Sequence, residues 1–355
     1  MRRRLRLLHL AVALVAGLFV VTLGVTGAVM AFEQELAHAL DHGLWHVEPG
    51  PAPMTLGAIA ASVGAAYPGR PVSRFDVSEQ PDLAYRVALP DRLLYVDQYT
   101  GRIIGEGEQA PPLLTWVHQL HLRLAWMSHP AAGKAIVSWM SVALLFLLAS
   151  GLYLWWPLKR FSVAWRASRR RRWLDVHAST GIAVFVFLLV AGLSGAAIGF
   201  DGVAEPAFYR LTGSTPIARQ PRVLVPAGRD VIGPDRAMAI AREALPGATP
   251  FQLALAAPDR PWTVRMRFPE DLTPGGRSRV EIDPYSGEVL AAESSRTAPA
   301  GARAVILTRA VHTGDVFGWP SRLLMALASA LTAVMATSGL LTWWTRVRRP
   351  NPITR

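Results

Sequence analysis

Residues 177–200 read HASTGIAVFVFLLVAGLSGAAIGF, a stretch that begins with a histidine and then continues to its end without Asp, Glu, Lys or Arg. A helix needs roughly 17–25 mostly apolar residues to cross a bilayer core about 30 Å thick. Three more stretches meet this requirement, at residues 7–32, 135–156 and 323–344. The sequence therefore predicts an α-helical membrane protein with four transmembrane helices. The lipid bilayer is thus an expected partner of the chain.

The composition of the chain favours the same class of protein. Of its 355 residues, 51% are hydrophobic and 17% are charged, whereas about a quarter of the residues of a soluble globular protein are charged. The chain contains no cysteine, which excludes disulfides, iron–sulfur clusters, thiolate-ligated haem, covalent c-type haem and thiol nucleophiles. It also lacks a P-loop and a G-x-G-x-x-G motif, so its nine histidines are the main candidates for chemistry.

The first apolar stretch follows an arginine-rich start, as a secretory signal peptide would. Its apolar run is longer than the roughly 7–15 residues of a signal-peptide core, and no A-x-A cleavage site follows it. We therefore expect residues 1–32 to remain as a transmembrane helix.

Lysine and arginine collect in three short segments, namely the N-terminus, the loop at residues 158–177 and the tail at residues 345–355. These segments carry 15 Lys and Arg against one Asp, while the rest of the chain carries 22 against 24 Asp and Glu. The positive-inside rule then places both termini and the loop in the cytoplasm, and residues 33–134 and 201–322 on the other side. The excess of Lys and Arg over Asp and Glu thus reflects membrane topology, and no nucleic-acid partner is expected.

Three patterns recur in the same order along the chain. They are a His followed 18 residues later by Gly-Ala (from His9 and from His177), an Asp-x-Tyr-Thr/Ser-Gly turn (from Asp97 and from Asp283) and a Ser-Gly-Leu-x-x-Trp-Trp ending (from Ser150 and from Ser338). Their offsets are 168, 186 and 188 positions. Similar offsets in the same order predict two internal repeats, each made of a helix, an external domain and a second helix.

Each external domain has the same outline. A helical stretch (residues 55–66 or 234–245) ends in a Pro-Gly turn, and alternating segments follow at 85–89 and 93–97, or at 262–268 and 279–282. We expect one helix on a small antiparallel sheet in each. The Asp of the turn caps its own backbone and the Gly supplies a positive φ, so the turn is predicted to be structural.

The histidines lie near the ends of the predicted helices. His9 and His177 open the first and third helices at the cytoplasmic face, while His118 and His121 precede the second helix and His312 precedes the fourth. Because repeat-equivalent positions converge on a pseudo-two-fold axis, we expect His9 to meet His177. We likewise expect His312 to meet His121 or His118, of which His121 is preferred.

Two neutral imidazoles that face each other in an apolar bundle suit a b-type haem with two nitrogen ligands. Zinc takes three or four ligands, usually with help from thiolates or carboxylates, so the cytoplasmic pair favours haem. At the outer pair, zinc or copper remains an alternative. A further set with i,i+4 spacing, His38, His42 and His46, has no counterpart in the second repeat and is expected at the surface.

The chain resembles the PepSY-associated transmembrane family of bacterial inner-membrane proteins. The matching motifs are Leu8-His9, His118-x-x-His121-Leu-Arg, Gly151-Leu-Tyr-Leu-Trp-Trp-Pro157, Trp173-Leu-Asp-Val-His177 and Val311-His-Thr-Gly-Asp-x-Phe-Gly318. The resemblance implies a PepSY module in each external region, at about residues 52–106 and 234–292, both in the periplasm. The four helices would occupy residues 1–32, 135–157, 178–200 and 323–344 of an inner-membrane protein with cytoplasmic termini.

Some members of this family resemble siderophore reductases, and the resemblance implies a function for this chain. In such a protein, two haem b groups are held by His9, His177, His312 and either His121 or His118, and a periplasmic ferric chelate (a ferric siderophore) is reduced for iron uptake. That activity is one of an oxidoreductase. Because no flavin-reductase domain is present in the chain, the electron donor would be a quinol or a separate reductase.

PepSY modules also occur in propeptides that inhibit secreted peptidases. The alternative is therefore a membrane-tethered PepSY regulator or inhibitor of a periplasmic peptidase, without redox activity. One transmembrane helix would suffice for that role. Four helices with histidines at repeat-equivalent ends favour the haem hypothesis.

Overall fold

A computed structural model describes residues 1–108, 110–159, 161–216, 223, 225, 230–255, 257–273 and 275–347. Arg160 of the predicted loop and residues 348–355 of the predicted cytoplasmic tail lie outside the described residues. The chain divides into two compact units. The first comprises Met1–Phe32, Trp116–Ala207 and Leu307–Arg355, and the second comprises Glu33–Thr115 and Phe208–Ile306.

The helices in chain order are α1 Arg2–Met30, α2 Glu33–Leu40, α3 His42–Trp45, α4 Leu56–Ala66, α5 Pro112–Arg123, α6 Pro130–Trp155, α7 Arg169–Gly199, α8 Asp201–Thr212, α9 Pro234–Ala244, α10 Ala300–Thr313 and α11 Trp319–Val347, with a short 3₁₀ helix at Asp315–Phe317. The strands are β1 Arg74–Asp76, β2 Tyr85–Ala88, β3 Leu93–Val96, β4 Ile103–Gly107, β5 Thr249–Ala254, β6 Trp262–Arg267, β7 Ser278–Ile282 and β8 Val289–Glu293.

Within the described ranges, four helices are long and apolar enough to cross a membrane, namely α1, α6, α7 and α11. They contain the predicted stretches, except that α1, α6 and α7 end one or two residues earlier. Each helix begins four to nine residues before the apolar stretch that it contains, and α1, predicted from residue 1, begins at Arg2. In α7 the extension takes in Arg169–Arg172, which the sequence had assigned to the loop. The apolar run marks only the segment of the helix that can lie in the hydrocarbon core of a bilayer. The helix itself continues into the arginines, because arginine is a good helix former.

The long helices of the first unit pack in a ring. α1 contacts α6 and α11, and α7 contacts the same two helices. Close contact is possible because small residues lie at the crossings. A Cβ added at Gly24 of α1 would come within 2.6 Å of the Ser329 carbonyl oxygen of α11. The buried core between the helices is formed by Leu148, Val184, Leu188 and Ala328.

The second unit contains an antiparallel sheet, which has eight strands among the residues described, in the order β4-β3-β2-β1-β5-β6-β7-β8. The central pair is β1 with β5, where Phe75 lies opposite Leu253. The sequence predicted a small antiparallel sheet in each external domain, and in the structure the strands of both domains join in one sheet. β1 has only three residues, too few to show the alternation that signals a strand.

One face of this sheet carries the hydrophobic core. Phe75, Val87, Leu94, Leu253 and Val264 are fully buried there, because alternate residues of a strand point to the same face. The two predicted helices, α4 and α9, add Ile59, Val63, Ala237 and Ala241 to the same cluster. Burial of each large side chain stabilises the fold by about 1.5–3 kcal/mol.

The Asp-x-Tyr-Thr/Ser-Gly turns have the predicted structural role. The Asp97 carboxylate accepts a hydrogen bond from the Tyr99 backbone N–H at 2.9 Å, and Asp283 accepts one from Tyr285 at 2.7 Å. The glycines of the two turns have φ values of 70° and 78°, a conformation that favours glycine because it has no Cβ.

Candidate functional site

The first unit brings two of the predicted histidines together near one end of its long helices. The ring centres of His9 in α1 and His177 in α7 are 6.5 Å apart, with an interplanar angle of 87°. The Nδ1 atom of His9 lies 2.8 Å from the Ser150 Oγ of α6. The Nδ1 atom of His177 lies 2.8 Å from the Met335 carbonyl oxygen of α11. All four long helices therefore contribute to this pair.

A second pair joins His121 of α5 with His312 of α10. Their ring centres are 6.4 Å apart, with an interplanar angle of 51°. Thr26 Oγ1 of α1 lies 3.0 Å from the Nδ1 atom of His121, and Ser194 Oγ of α7 lies 3.0 Å from that of His312. The two pairs thus have nearly the same separation, and each of the four rings has an oxygen near its Nδ1 atom, a hydroxyl oxygen for His9, His121 and His312 and a carbonyl oxygen for His177.

The sequence left His118 and His121 as alternatives for this position. They are three residues apart in α5, on one side of the helix. The structure turns the His121 ring toward His312. His118 lies one turn earlier, close enough for its charge to influence His121.

The surroundings of the second pair keep its imidazoles neutral. Loss of solvent contact, with a smaller contribution from a charge on His312, lowers the pKa of His121 to about 4. Burial also lowers the pKa of His312 below its usual value. A neutral imidazole keeps a nitrogen lone pair with which it can bind a metal, so both rings can act as ligands near pH 7.

Each pair offers two imidazole nitrogens. Among the described residues, no group of three or more His, Cys, Asp or Glu could hold a metal ion. Two neutral imidazoles are a donor set that fits a haem with two nitrogen ligands. The four histidines are half-buried.

The remaining histidine set lies in the second unit. The His42 and His46 rings stack at 4.2 Å, and the His38 ring lies 5.8 Å from His46 and 4.3 Å from Trp45. His46 also contacts the Asp82 carboxylate at 3.2 Å. Only His42 is exposed, whereas His38 and His46 are half-buried. The expectation of a surface location therefore describes His42 and not the other two.

The hydroxyl groups of Thr26, Ser150 and Ser194 were not predicted to have a role. A signal was nevertheless present, because a hydroxyl residue directly precedes glycine at least once in each long helix. The four such dipeptides whose glycine lies against a paired histidine are Thr26-Gly27, Ser150-Gly151, Ser194-Gly195 and Ser338-Gly339, and α7 also contains Thr180-Gly181. Two of the four dipeptides are 168 positions apart and the other two are 188 apart, the offsets of the predicted repeats.

A comparison with protein families gives one match that covers nearly the whole chain. The family is described as a PepSY-associated TM region, and it matches residues 6–346. A search of curated proteins gives no match to the chain.

Proposed function

The chain belongs to the PepSY-associated transmembrane family of multi-pass membrane proteins, and from this premise we propose that it is a haem-containing oxidoreductase of the bacterial inner membrane. Its proposed role is to move electrons across the bilayer and to reduce a periplasmic ferric chelate, a ferric siderophore, for iron uptake. The donor is a quinol or a separate reductase.

The separation of the two histidine pairs carries this proposal. The ring centres are 6.5 Å apart for His9 and His177 and 6.4 Å apart for His121 and His312. Each pair would therefore offer two imidazoles to one haem placed at that pair.

The chain would hold one haem b at each pair. When bound, haem b supplies one-electron chemistry by cycling between Fe(III) and Fe(II). The protein residues provide two neutral imidazoles per site, an apolar helical surrounding that limits water, and fixed polar partners at each Nδ1 atom. Without a thiolate or carboxylate ligand, each site favours a low-spin, two-nitrogen arrangement.

The two pairs lie far apart along the same helices, as a path across a membrane requires. On α1, His9 and Gly27, whose Cα faces the His121 ring, are 18 residues apart. At about 1.5 Å per residue, that distance is about 27 Å along the helix axis. α7 repeats the arrangement between His177 and Gly195, which faces His312.

We place the His9 and His177 pair toward the cytoplasm, because the arginine-rich segments flank it. The His121 and His312 pair then lies toward the periplasm, and the same rule assigns residues 33–134 and 201–322 to the periplasm. In this proposal the sheet consists of two PepSY modules, β1–β4 with α4 and β5–β8 with α9. The strand order supports this division. Outward from the central pair, the strands follow their order in the chain on both sides, β1 to β4 on one side and β5 to β8 on the other.

Reduction itself explains how iron would be released from the chelate. Ferrous iron is a softer ion than ferric iron, so oxygen-donor chelators hold it less strongly. The tethered-regulator alternative needs none of the four paired histidines. The pairs therefore favour electron transfer over that alternative.

The direct test is a haem count on the full chain purified in detergent. We expect two b-type haems per chain, one after His9→Ala or His177→Ala, and one after His121→Ala or His312→Ala. His118→Ala is the matched control, because it removes an imidazole from the same face of α5 and should leave two haems. Unchanged stoichiometry in all the paired-histidine variants would contradict the site. A wild-type chain that takes up no haem would leave the tethered regulator as the better account.

Ferric-chelate reduction is tested separately. Reduced protein mixed with a ferric hydroxamate should be reoxidised while Fe(II) appears in a ferrous trap. The His312→Ala variant should lose this reoxidation. Haem that is present but is not reoxidised by any ferric chelate would contradict the proposed substrate and leave the haem assignment intact.

A further inference from the structure

We propose that Thr26, Ser150 and Ser194, together with the Met335 carbonyl, are positioning groups that hold the four paired histidines by their Nδ1–H and thereby present Nε2 as the metal-binding atom. This inference rests on the proposed function for the identity of the metal group. The hydrogen-bond arrangement that it describes belongs to the protein alone.

The partner of His177 decides its tautomer. A backbone carbonyl oxygen only accepts hydrogen bonds, and the Met335 oxygen lies 2.8 Å from Nδ1. The hydrogen must therefore reside on Nδ1, which leaves the lone pair of the neutral ring on Nε2.

The hydroxyl partners of His9, His121 and His312 also place the hydrogen on Nδ1, for a different reason. Each hydroxyl has one hydrogen, and each donates it to the carbonyl four residues earlier in its own helix. These bonds are Thr26 to Thr22 at 2.7 Å, Ser150 to Phe146 at 2.6 Å and Ser194 to Val190 at 2.6 Å. Toward the histidine each hydroxyl oxygen is then left to accept. His121, His9 and His312 therefore donate from Nδ1 and keep Nε2 free.

The glycine after each hydroxyl lies against a histidine ring, and at Gly27, Gly195 and Gly339 a Cβ would make a tight contact with it, whereas at Gly151 the contact would be an ordinary one. A Cβ added at Gly27 would lie 3.0 Å from Cε1 of His121, and one added at Gly195 would lie 3.2 Å from Cε1 of His312. The corresponding distances are 3.5 Å for Gly151 and His9, and 3.3 Å for Gly339 and His177. The dipeptide thus provides a hydrogen-bond acceptor and an open helix surface at adjacent positions.

One of the four dipeptides departs from this pattern. Gly339 lies against His177, but the Ser338 hydroxyl donates to the carbonyls of Val334 at 2.6 Å and Met335 at 3.0 Å. The acceptor for His177 is instead the Met335 carbonyl, three residues before Ser338. From the sequence repeat alone, Ser338 would be assigned the role of Ser150. The structure assigns that role to the backbone at His177. The carbonyls of Leu23 and Ala191, three residues before Thr26 and Ser194, also hydrogen-bond His121 and His312, in addition to the hydroxyl groups there.

These hydrogen bonds have a predictable effect on a bound metal. An acceptor at Nδ1–H fixes the ring orientation and raises the basicity of Nε2, and loss of such a partner typically costs 10–100-fold in metal affinity. A more basic ligand favours Fe(III) over Fe(II). Removal of the acceptor should therefore raise the reduction potential of the haem at that pair.

The experiment compares hydroxyl variants with a control that the chain itself offers. Ser150→Ala should raise the potential of the cytoplasmic-side haem and weaken its binding about 10–100-fold, and Thr26→Val and Ser194→Ala should do the same only at the other haem. Ser338→Ala removes the repeat-equivalent hydroxyl and should change neither haem. Thr26→Ser, which keeps the hydroxyl, should restore the wild-type potential. Equal effects of Ser150→Ala and Ser338→Ala would overturn the assignment.

A second measurement does not depend on haem. In full-length apo-protein labelled with ¹⁵N-histidine, nitrogen shifts distinguish Nδ1–H from Nε2–H rings, and single His→Ala variants assign the signals. We expect the Nδ1–H form at His9, His121, His177 and His312, and a mixture at His9 after Ser150→Ala. Nε2–H rings in the wild type would refute the positioning role. Nδ1–H rings in a chain that binds no haem would uphold it and place the failure in the proposed function.

Discussion

The Cε1 edge of the His121 ring lies against Gly27 of α1, where an added Cβ would come within 3.0 Å of it. A contact of that length is tighter than a methyl group and a ring carbon normally make, so the ring must shift if the methyl is present. The relationship couples the helix packing of α1 directly to the position of a candidate ligand.

Gly27→Ala should therefore displace His121 and reduce the haem content at that pair, while the haem at His9 and His177 remains. Haem stoichiometry and the reduced absorption spectrum measure the loss. Gly17→Ala is the matched control, because it lies on the same helix and a Cβ there has no neighbour within 4 Å. If Gly27→Ala binds both haems with wild-type affinity, the close contact does not govern the site.

The membrane orientation can be tested cleanly because the chain contains no cysteine. Ala65→Cys, at an exposed position of α4, should react with a membrane-impermeant maleimide in intact spheroplasts. Ser162→Cys, at an exposed position of the arginine-rich loop, should react only after the membrane is permeabilised. The reverse pattern of labelling would mean that the positive-inside assignment is wrong for this protein.

In the second unit, two hydrogen bonds join the helices α4 and α9. The Asp235 carboxylate of α9 accepts hydrogen bonds from the backbone N–H groups of Leu56 and Gly57 in α4, both at 2.8 Å. Asp235→Ala should cost about 1 kcal/mol, the usual effect of losing a helix cap. In a domain of this size, we expect the midpoint of thermal unfolding to fall by about 2–4 °C.

Thermal unfolding of the second unit, followed by circular dichroism of the full chain, measures this effect. Asp230→Ala serves as the control, because it removes an exposed carboxylate close by in the sequence. Equal midpoints for Asp235→Ala and Asp230→Ala would show that the cap contributes nothing to stability.

His38 predicts a dependence of stability on pH. Burial, followed by the charges of His46 and Arg86, lowers its pKa below the usual value of 6.5, against the weaker opposing effects of Glu35 and Asp82. The unfolded chain therefore binds a proton at His38 more readily than the folded chain does. The stability contribution of the neutral ring is present above pH 6.5 and declines as the pH falls below that value.

We expect the wild type to lose more stability between pH 7.5 and pH 5.5 than His38→Gln, which cannot titrate. Unfolding midpoints of the two proteins across this range give the difference directly. The difference reports His38 together with its electrostatic coupling to His46, because the two rings are 5.8 Å apart. Identical pH dependence in the two proteins would exclude a contribution from His38.

Several features of the protein followed from the sequence because they depend on short segments. The four transmembrane helices were evident from uninterrupted apolar length, and the Asp-x-Tyr turns from residues that act on their own backbone. The positions of the histidines at the helix ends were also evident, because each depends only on a short segment. That His9 meets His177 could be expected only from the predicted repeat, since no short segment contains both residues.

The tertiary structure decided which groups meet. His118 and His121 differ by about 60° of rotation and about 4.5 Å of rise on α5, a difference that the packing of α5 resolves and the sequence pattern does not. The joining of β1 to β5 likewise depends on two short strands about 175 residues apart. Met335 in place of Ser338 is the clearest case, because a backbone carbonyl has no signature in the sequence. Local length and chemistry are encoded by neighbouring residues, whereas the pairing of distant groups depends on helix rotation and strand register, which only the packed chain determines.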